Sequence, residues 1–260
     1  MERAELKAKA REALAGKWGK AILLMIAYGI VIFLGEMILT WVPFIGPLAL
    51  IVLTVPLTVG YTVEFMKLAR GEEVNYFGFF KEGFDRFGKS WEVVGHTILK
   101  VIAPFIAYLV SVFGATMLIS LGAIAGSSFM IVIGGILFIG VFASLVWLMV
   151  KTLLYSLTTY ILIDNSEMSA KEVVNESAKL MLGNRMKYFV LSLSFIGWAL
   201  LAILTCGIGY LWLVPYIAVT NIFFYNDLAG KKVGVVKEDE VEAEEVESDV
   251  IVEDENNPIK

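Results

Sequence analysis

Three ionisable side chains fall within long apolar stretches of this 260-residue chain: Glu36, Glu64 and, under one of two registers, Lys151. A charge at the centre of a hydrocarbon layer costs about 2.5–3.5 kcal/mol on insertion scales, so such residues are candidates for function by default. A carboxylate held there can pass a proton or hold a cation, and with Lys151 it would line a polar path for an ion or small solute. A structural role competes with this chemistry. Glu36 lies in the outer third of its stretch, where it can be protonated or reach interfacial water, and Glu64 has only to extend to the headgroups beside Lys67.

Other chemistry has little material. With one cysteine, Cys206, and one histidine, His96, the sequence offers no internal disulfide and no histidine cluster for a metal. It contains no phosphate-binding glycine loop, no His-Glu metal motif and no Gly-x-Ser-x-Gly elbow. Asp164 and Asn165 carry oxygens that a cation would accept, but their place at the end of an apolar stretch suits a polar stop and turn. No catalytic residue, cofactor, metal or nucleic-acid partner is therefore expected. Pro56 and Pro215 each delete a helix hydrogen bond and clash with the preceding turn, and both are expected helix kinks.

The elements that must position these residues are long helices. Hydrophobic residues make up 58% of the chain and mean hydropathy is +0.76, well above soluble domains and in the range of membrane proteins. A span needs about 20 apolar residues. The expected spans are Ala21 to Val42, Gly46 to Met66, Val101 to Leu121, Phe129 to Val150, Tyr188 to Leu204 and Ile208 to Tyr225. The first exceeds the usual length of a signal-peptide core and lacks a small-residue cleavage site, so it is expected to stay as a signal anchor.

Charge sets the orientation. Lysines and arginines lie in Arg3 to Lys20, Lys67 to Lys100, Lys151 to Lys187 and from Lys231 onward. The three intervening turns, Trp41 to Pro47, Ser120 to Phe129 and Thr205 to Tyr210, carry no charge. Basic residues near span ends favour the cytoplasmic side. The expected fold is thus an all-α, polytopic membrane helical bundle with six transmembrane helices arranged as three hairpins, in the cytoplasmic membrane with both termini cytoplasmic. Trp41, Trp198, Tyr210 and Trp212 fit an outer interfacial belt.

The hairpins carry marks of repetition. Pro56 and Pro215, like Gly71 and Gly230, are separated by 159 residues, and Leu14-Ala15-Gly16 resembles Leu182-Gly183. Gly88-Lys89-Ser90-Trp91 echoes Gly16-Lys17-Trp18, which suggests units over 1–71, 75–165 and 168–230 within a membrane domain of 1–230. In that register Tyr61 meets Tyr155, the fourth span shifts to about Gly140 through Ile163, and Lys151 lies inside it.

Each unit is expected to open with an interfacial amphipathic helix. The first runs from Glu2 to about Leu14 with Leu6, Ala10 and Ala13 on one side. The second places Phe80, Phe84, Phe87 and Trp91 at helical spacing between charged faces, as in a helix lying in the headgroup plane. The third starts with the capping box Ser169-Ala170-Lys171-Glu172 and continues with Val174, Ala178 and Met181. Glycines Gly114, Gly122, Gly126 and the Gly134-Gly135 pair allow close helix approach. Residues 231–260 hold eleven acidic and four basic residues and are expected to form a disordered cytoplasmic tail.

The stretch from 164 to 228 carries a family likeness: Asp164-Asn165, Ser177 with Leu180-Met181 and Gly183, Leu193-Ser194-Phe195-Ile196-Gly197-Trp198, Gly207-Ile208-Gly209, Pro215-Tyr216 and Phe224-Tyr225. It resembles the bacterial membrane proteins catalogued as domain of unknown function 975, with weaker marks at Gly16-x-Trp18 and Gly83-Phe84; the acidic tail lies outside the pattern. The resemblance implies an integral membrane protein of bacterial, mainly Gram-positive, type with several helices and no established activity, and it supplies no catalytic residues. The expected task is non-enzymatic: scaffolding, envelope homeostasis, or interaction with lipids and a membrane-protein partner or second copy. The alternative is a small-solute or ion transporter or channel that uses Glu36 and the proline-bearing second spans.

Overall fold

Long apolar runs leave the backbone few ways to satisfy its own N–H and C=O groups, and the helix does so within one segment. The structure, a computed structural model, describes residues 1–231. From residue 232 the expected acidic tail lies outside the described residues. Within them the chain forms α1 (Arg3–Leu14), α2 (Trp18–Leu39), α3 (Ile45–Arg70), α4 (Gly78–Asp85), α5 (Phe87–Ala125) and α6 (Ser128–Leu154). It continues with α7 (Thr158–Asp164), α8 (Ala170–Met181), α9 (Arg185–Leu193), α10 (Ile196–Leu204) and α11 (Tyr210–Leu228), and no strand occurs among the described residues.

Five of these stretches are long and apolar enough to cross a membrane: Trp18–Leu39, Ile45–Arg70, Phe87–Ala125, Ser128–Asp164 and Arg185–Leu204. The sixth expected span corresponds to α11, a 19-residue helix that does not reach the same apolarity. The reason lies in its surroundings. α11 packs against α1, α2, α3 and α10, so that Thr220, Tyr225 and Asn226 are all buried by protein. Protein neighbours screen these polar side chains from lipid, where they would be costly.

Each amphipathic segment turns one face onto protein. On α1, Leu6, Ala10, Ala13 and Leu14 are buried against the α11 side of the bundle. On α4 the buried positions are Gly78, Phe79 and Gly83, against α3. On α8 they are Ala170, Val173, Val174, Ser177 and Met181, against α5, α6 and α7. Each short helix thus packs on a long apolar helix, α4 on α3, α8 on α5, α6 and α7, and α1 on α11.

The second amphipathic segment is also divided differently from its sequence pattern. Arg86 separates α4 from α5, so Phe87 and Trp91 belong to the long helix and only Phe80 and Phe84 remain on α4, both exposed. The third follows its sequence: Ser169 Oγ accepts from the Glu172 amide at 3.4 Å while Glu172 Oε2 accepts from the Ser169 amide at 2.8 Å, completing the box.

The middle hairpin is the longest. α5 has 39 residues, about 58 Å at 1.5 Å per residue, against a hydrocarbon core of about 30 Å. Its pairing with α6 depends on small residues. A Cβ on Gly134 would lie 2.7 Å from Ile119 Cγ1, and one on Gly122 would lie 2.8 Å from Ile131 Cγ1.

Candidate functional site

Glu36 lies on α2, three residues before its last residue, and is exposed on the outside of the bundle. Glu64 is the opposite case, a fully buried carboxylate on α3. Lys67 Nζ donates to Glu64 Oε1 at 3.0 Å, and the Asn75 amide donates to Glu64 Oε2 at 2.9 Å. Gly78 is the reason α4 can start beside it, since a Cβ there would sit 2.4 Å from Glu64 Oε1. Lys67 also donates to Glu82 Oε1 at 2.9 Å, and Arg86 donates to Glu82 Oε2 at 2.6 Å. Burial raises the Glu82 carboxyl, but hydrogen bonds from Lys67 and Arg86 outweigh it and hold the group below the ordinary carboxylate range. The chain Glu64–Lys67–Glu82–Arg86 fastens α4 to α3.

A second charged cluster joins three helix ends. Asp164 at the end of α7 accepts from Arg70 at the end of α3 at 2.7 Å and from Lys231, just beyond α11, at 2.7 Å. The side chain of Asp164 is almost buried, while both cations are partly exposed. This assigns Asp164 a structural tie to two cations.

Lys151 stands near the C-terminal end of α6 and is half-buried, without a carboxylate partner among the described residues. Pro56 and Pro215 are buried inside α3 and α11, and both helices run on through them. The interruptions in the long apolar helices lie elsewhere, at Tyr155–Leu157 between α6 and α7 and at Ser194–Phe195 between α9 and α10.

Both interruptions receive a side chain from an amphipathic helix. At the first, Ser177 of α8 donates to the Leu154 carbonyl at 2.9 Å and accepts from the Leu157 amide at 3.3 Å. Backbone groups freed at the break are thereby paired again. At the second, Lys7 of α1 donates to the Ser194 carbonyl at 3.2 Å and its ammonium lies 4.1 Å from the centre of the Phe195 ring. Burial, then the neighbouring charges of Arg3 and Arg11, lower the Lys7 ammonium from its ordinary value.

Lys7 also lines two cavities. One, of about 580 Å³, lies among Arg3, Lys7, Lys187 and Phe224. The other, of about 620 Å³, brings Lys7 and Arg11 of α1 together with Trp18, Trp198, Trp212 and Tyr216. α1 reaches these residues by lying along α11 in the opposite sense: the Met1 amino group is 2.7 Å from Asp227, and Tyr216 donates to the Lys7 carbonyl at 3.3 Å. Neither cavity is lined by Glu36, Glu64 or Lys151. Sequence reasoning missed this grouping because Lys7 and Tyr216 are 209 residues apart.

Five helices of spanning length and apolarity, two of them interrupted and bonded at the interruption, define an all-α chain compatible with a multi-pass membrane protein. Residues 1–232 match the family described as Protein of unknown function (DUF975), and the chain belongs to that family. No curated protein and no solved structure matches it.

Proposed function

We propose that the chain is a non-enzymatic multi-pass protein of the bacterial cytoplasmic membrane, whose task is interaction with lipids and membrane partners rather than conduction. In this reading α11 is the sixth span, both termini are cytoplasmic, and the three units descend from one. The packing of α4 on α3, of α8 on α6 and α7, and of α1 on α11 supports the triplication.

One observation carries the choice against conduction: Glu36, Glu64 and Lys151 line neither of the two cavities described above and do not meet one another. Glu36 faces outward, and Glu64 is sealed by Lys67, the Asn75 amide and Gly78. A proton or ion path needs such groups along a hydrated route. The purified protein in liposomes is expected to show no proton or cation flux above empty liposomes, while native pull-down recovers a defined membrane partner. Flux abolished by Glu36→Gln would reverse the reading.

A transporter remains the second reading because of the two interrupted helices. Transporters bind substrates at such interruptions, where backbone groups face a cavity. In this chain Ser177 and Lys7 already occupy the freed groups.

A further inference from the structure

We propose that the cavity between α1, α10 and α11 is a binding site for an anionic phospholipid, with the phosphate held by Lys7 and Arg11 and the proximal acyl chains against Trp198, Leu201 and Leu213. The inference rests on the lipid-interaction reading above and names the ligand.

The lining of the cavity combines two chemistries. Its cations are Lys7 and Arg11, neither of which pairs with a carboxylate among the described residues. An ammonium has three donors. One from Lys7 is used on the Ser194 carbonyl, which holds the side chain in place and leaves two for an incoming oxyanion. Arg11 is exposed and offers a planar fork suited to phosphate oxygens. The rest of the lining is mainly apolar and aromatic, with Leu201, Leu213, Trp198 and Trp212, and three of these four are at least half exposed or nearly so.

A free anion such as inorganic phosphate has no use for that wall, and a neutral acyl chain has none for the cations. A phospholipid with net negative charge uses both, and the volume of about 620 Å³ holds a glycerophosphate headgroup with the first carbons of its chains. Basic pockets between membrane helices bind such headgroups on these terms. The other cavity that Lys7 lines adds Arg3 and Lys187 against the single carboxylate of Glu2, so the surroundings of Lys7 are net positive.

The test uses the full-length protein in mild detergent, observed by native mass spectrometry with phosphatidylglycerol or phosphatidylcholine added at equal concentration. The expected result is one retained phosphatidylglycerol, weakened roughly tenfold or more in the Lys7→Gln, Arg11→Gln double variant. Lys179→Gln, on an exposed ion pair of α8, keeps wild-type binding. Thermal unfolding of each variant identifies loss of fold, and Arg11→Gln alone serves if the double variant is unstable, because the Arg11 side chain makes no hydrogen bond among the described residues. Equal retention of both lipids, unchanged retention in the variants, or displacement by millimolar inorganic phosphate would overturn the proposal. So would retention that appears only in a chain ending at Lys231, which would make the acidic segment the occupant. Loss of lipid selectivity without flux in liposomes removes this site and leaves the non-conducting reading in place, whereas flux removes that reading whatever the lipid result.

Discussion

Asp164 and Arg70 meet at 2.7 Å across 94 residues of chain, joining the end of α7 to the end of α3, and Lys231 adds the end of α11 at the same carboxylate. Removing one partner from a pair that is buried on the acidic side leaves the other charge uncompensated. Asp164→Asn is expected to destabilise the fold by about 2 kcal/mol, below the full cost of a buried pair because Arg70 and Lys231 retain contact with solvent. The measurement is the thermal midpoint in detergent. Adding Arg70→Met to that variant should cost less than Arg70→Met alone, and full additivity would show that the pair is not coupled.

The crossing of α3 and α4 depends on two facing glycines. A Cβ on Gly60 would lie 2.1 Å from the Phe79 carbonyl oxygen, and one on Gly83 would lie 2.4 Å from the Pro56 carbonyl oxygen. Backbone atoms cannot step aside as a side-chain end can. Gly60→Ala is expected to cost about 1–3 kcal/mol through overpacking, whereas Gly95→Ala, with open space around it, should leave the midpoint unchanged or raised.

Ser177 repairs the break between α6 and α7. Ser177→Ala removes a donor from the Leu154 carbonyl and an acceptor from the buried Leu157 amide. An unmet buried donor costs about 1–3 kcal/mol. Faster hydrogen exchange confined to 154–158 is the expected signature, and uniform acceleration across the chain would indicate global unfolding instead.

The Glu82 carboxyl is held below its ordinary value of 4.5 by Lys67 and Arg86, with burial acting in the opposite direction. A group whose folded pKa is depressed contributes stability above the unfolded value and loses it as pH falls through the folded one. The thermal midpoint should therefore stay level with respect to Glu82 above about pH 5 and decline below pH 4.5. Its partners Lys67 and Arg86 remain charged throughout that range, so Glu82→Gln should lower the neutral-pH midpoint and reduce the acid-induced fall.

Cys206 is exposed in the turn between α10 and α11, on the side where the turns carry no charge. In intact cells a membrane-impermeant maleimide should label Cys206 and miss cysteines introduced at Lys89 or Lys179 in a Cys206→Ser background. Labelling of the reverse pattern would invert the orientation.

Much of the helical framework was legible because it follows from local rules. The hydrophobic run of α2, the capping box of α8 and the glycine ends at Gly71 and Gly230 each act within a few residues of themselves, and Gly71 and Gly230 both adopt positive φ as chain reversals require. The bounds of α4 were not legible: the spacing of Phe80, Phe84, Phe87 and Trp91 is that of one helix, while the close approach of Gly83 to Pro56, just before the interruption at Arg86, is a contact between residues distant in sequence. The candidate cavity was invisible for a related reason. Lysine and arginine on a short helix read as a solvated face until that helix is laid along α11.

Composition and charge pattern by themselves determined that the chain is helical, long in apolar runs, and divided into charged and uncharged connections, because these properties depend on residue type and near neighbours. Tertiary structure alone decided where the amphipathic faces go, which carboxylates are sealed and which cation meets which aromatic ring. Those outcomes depend on contacts between residues distant in sequence. The contact between Lys7 and Ser194, 187 residues apart, exists only once α1 has packed against the last hairpin.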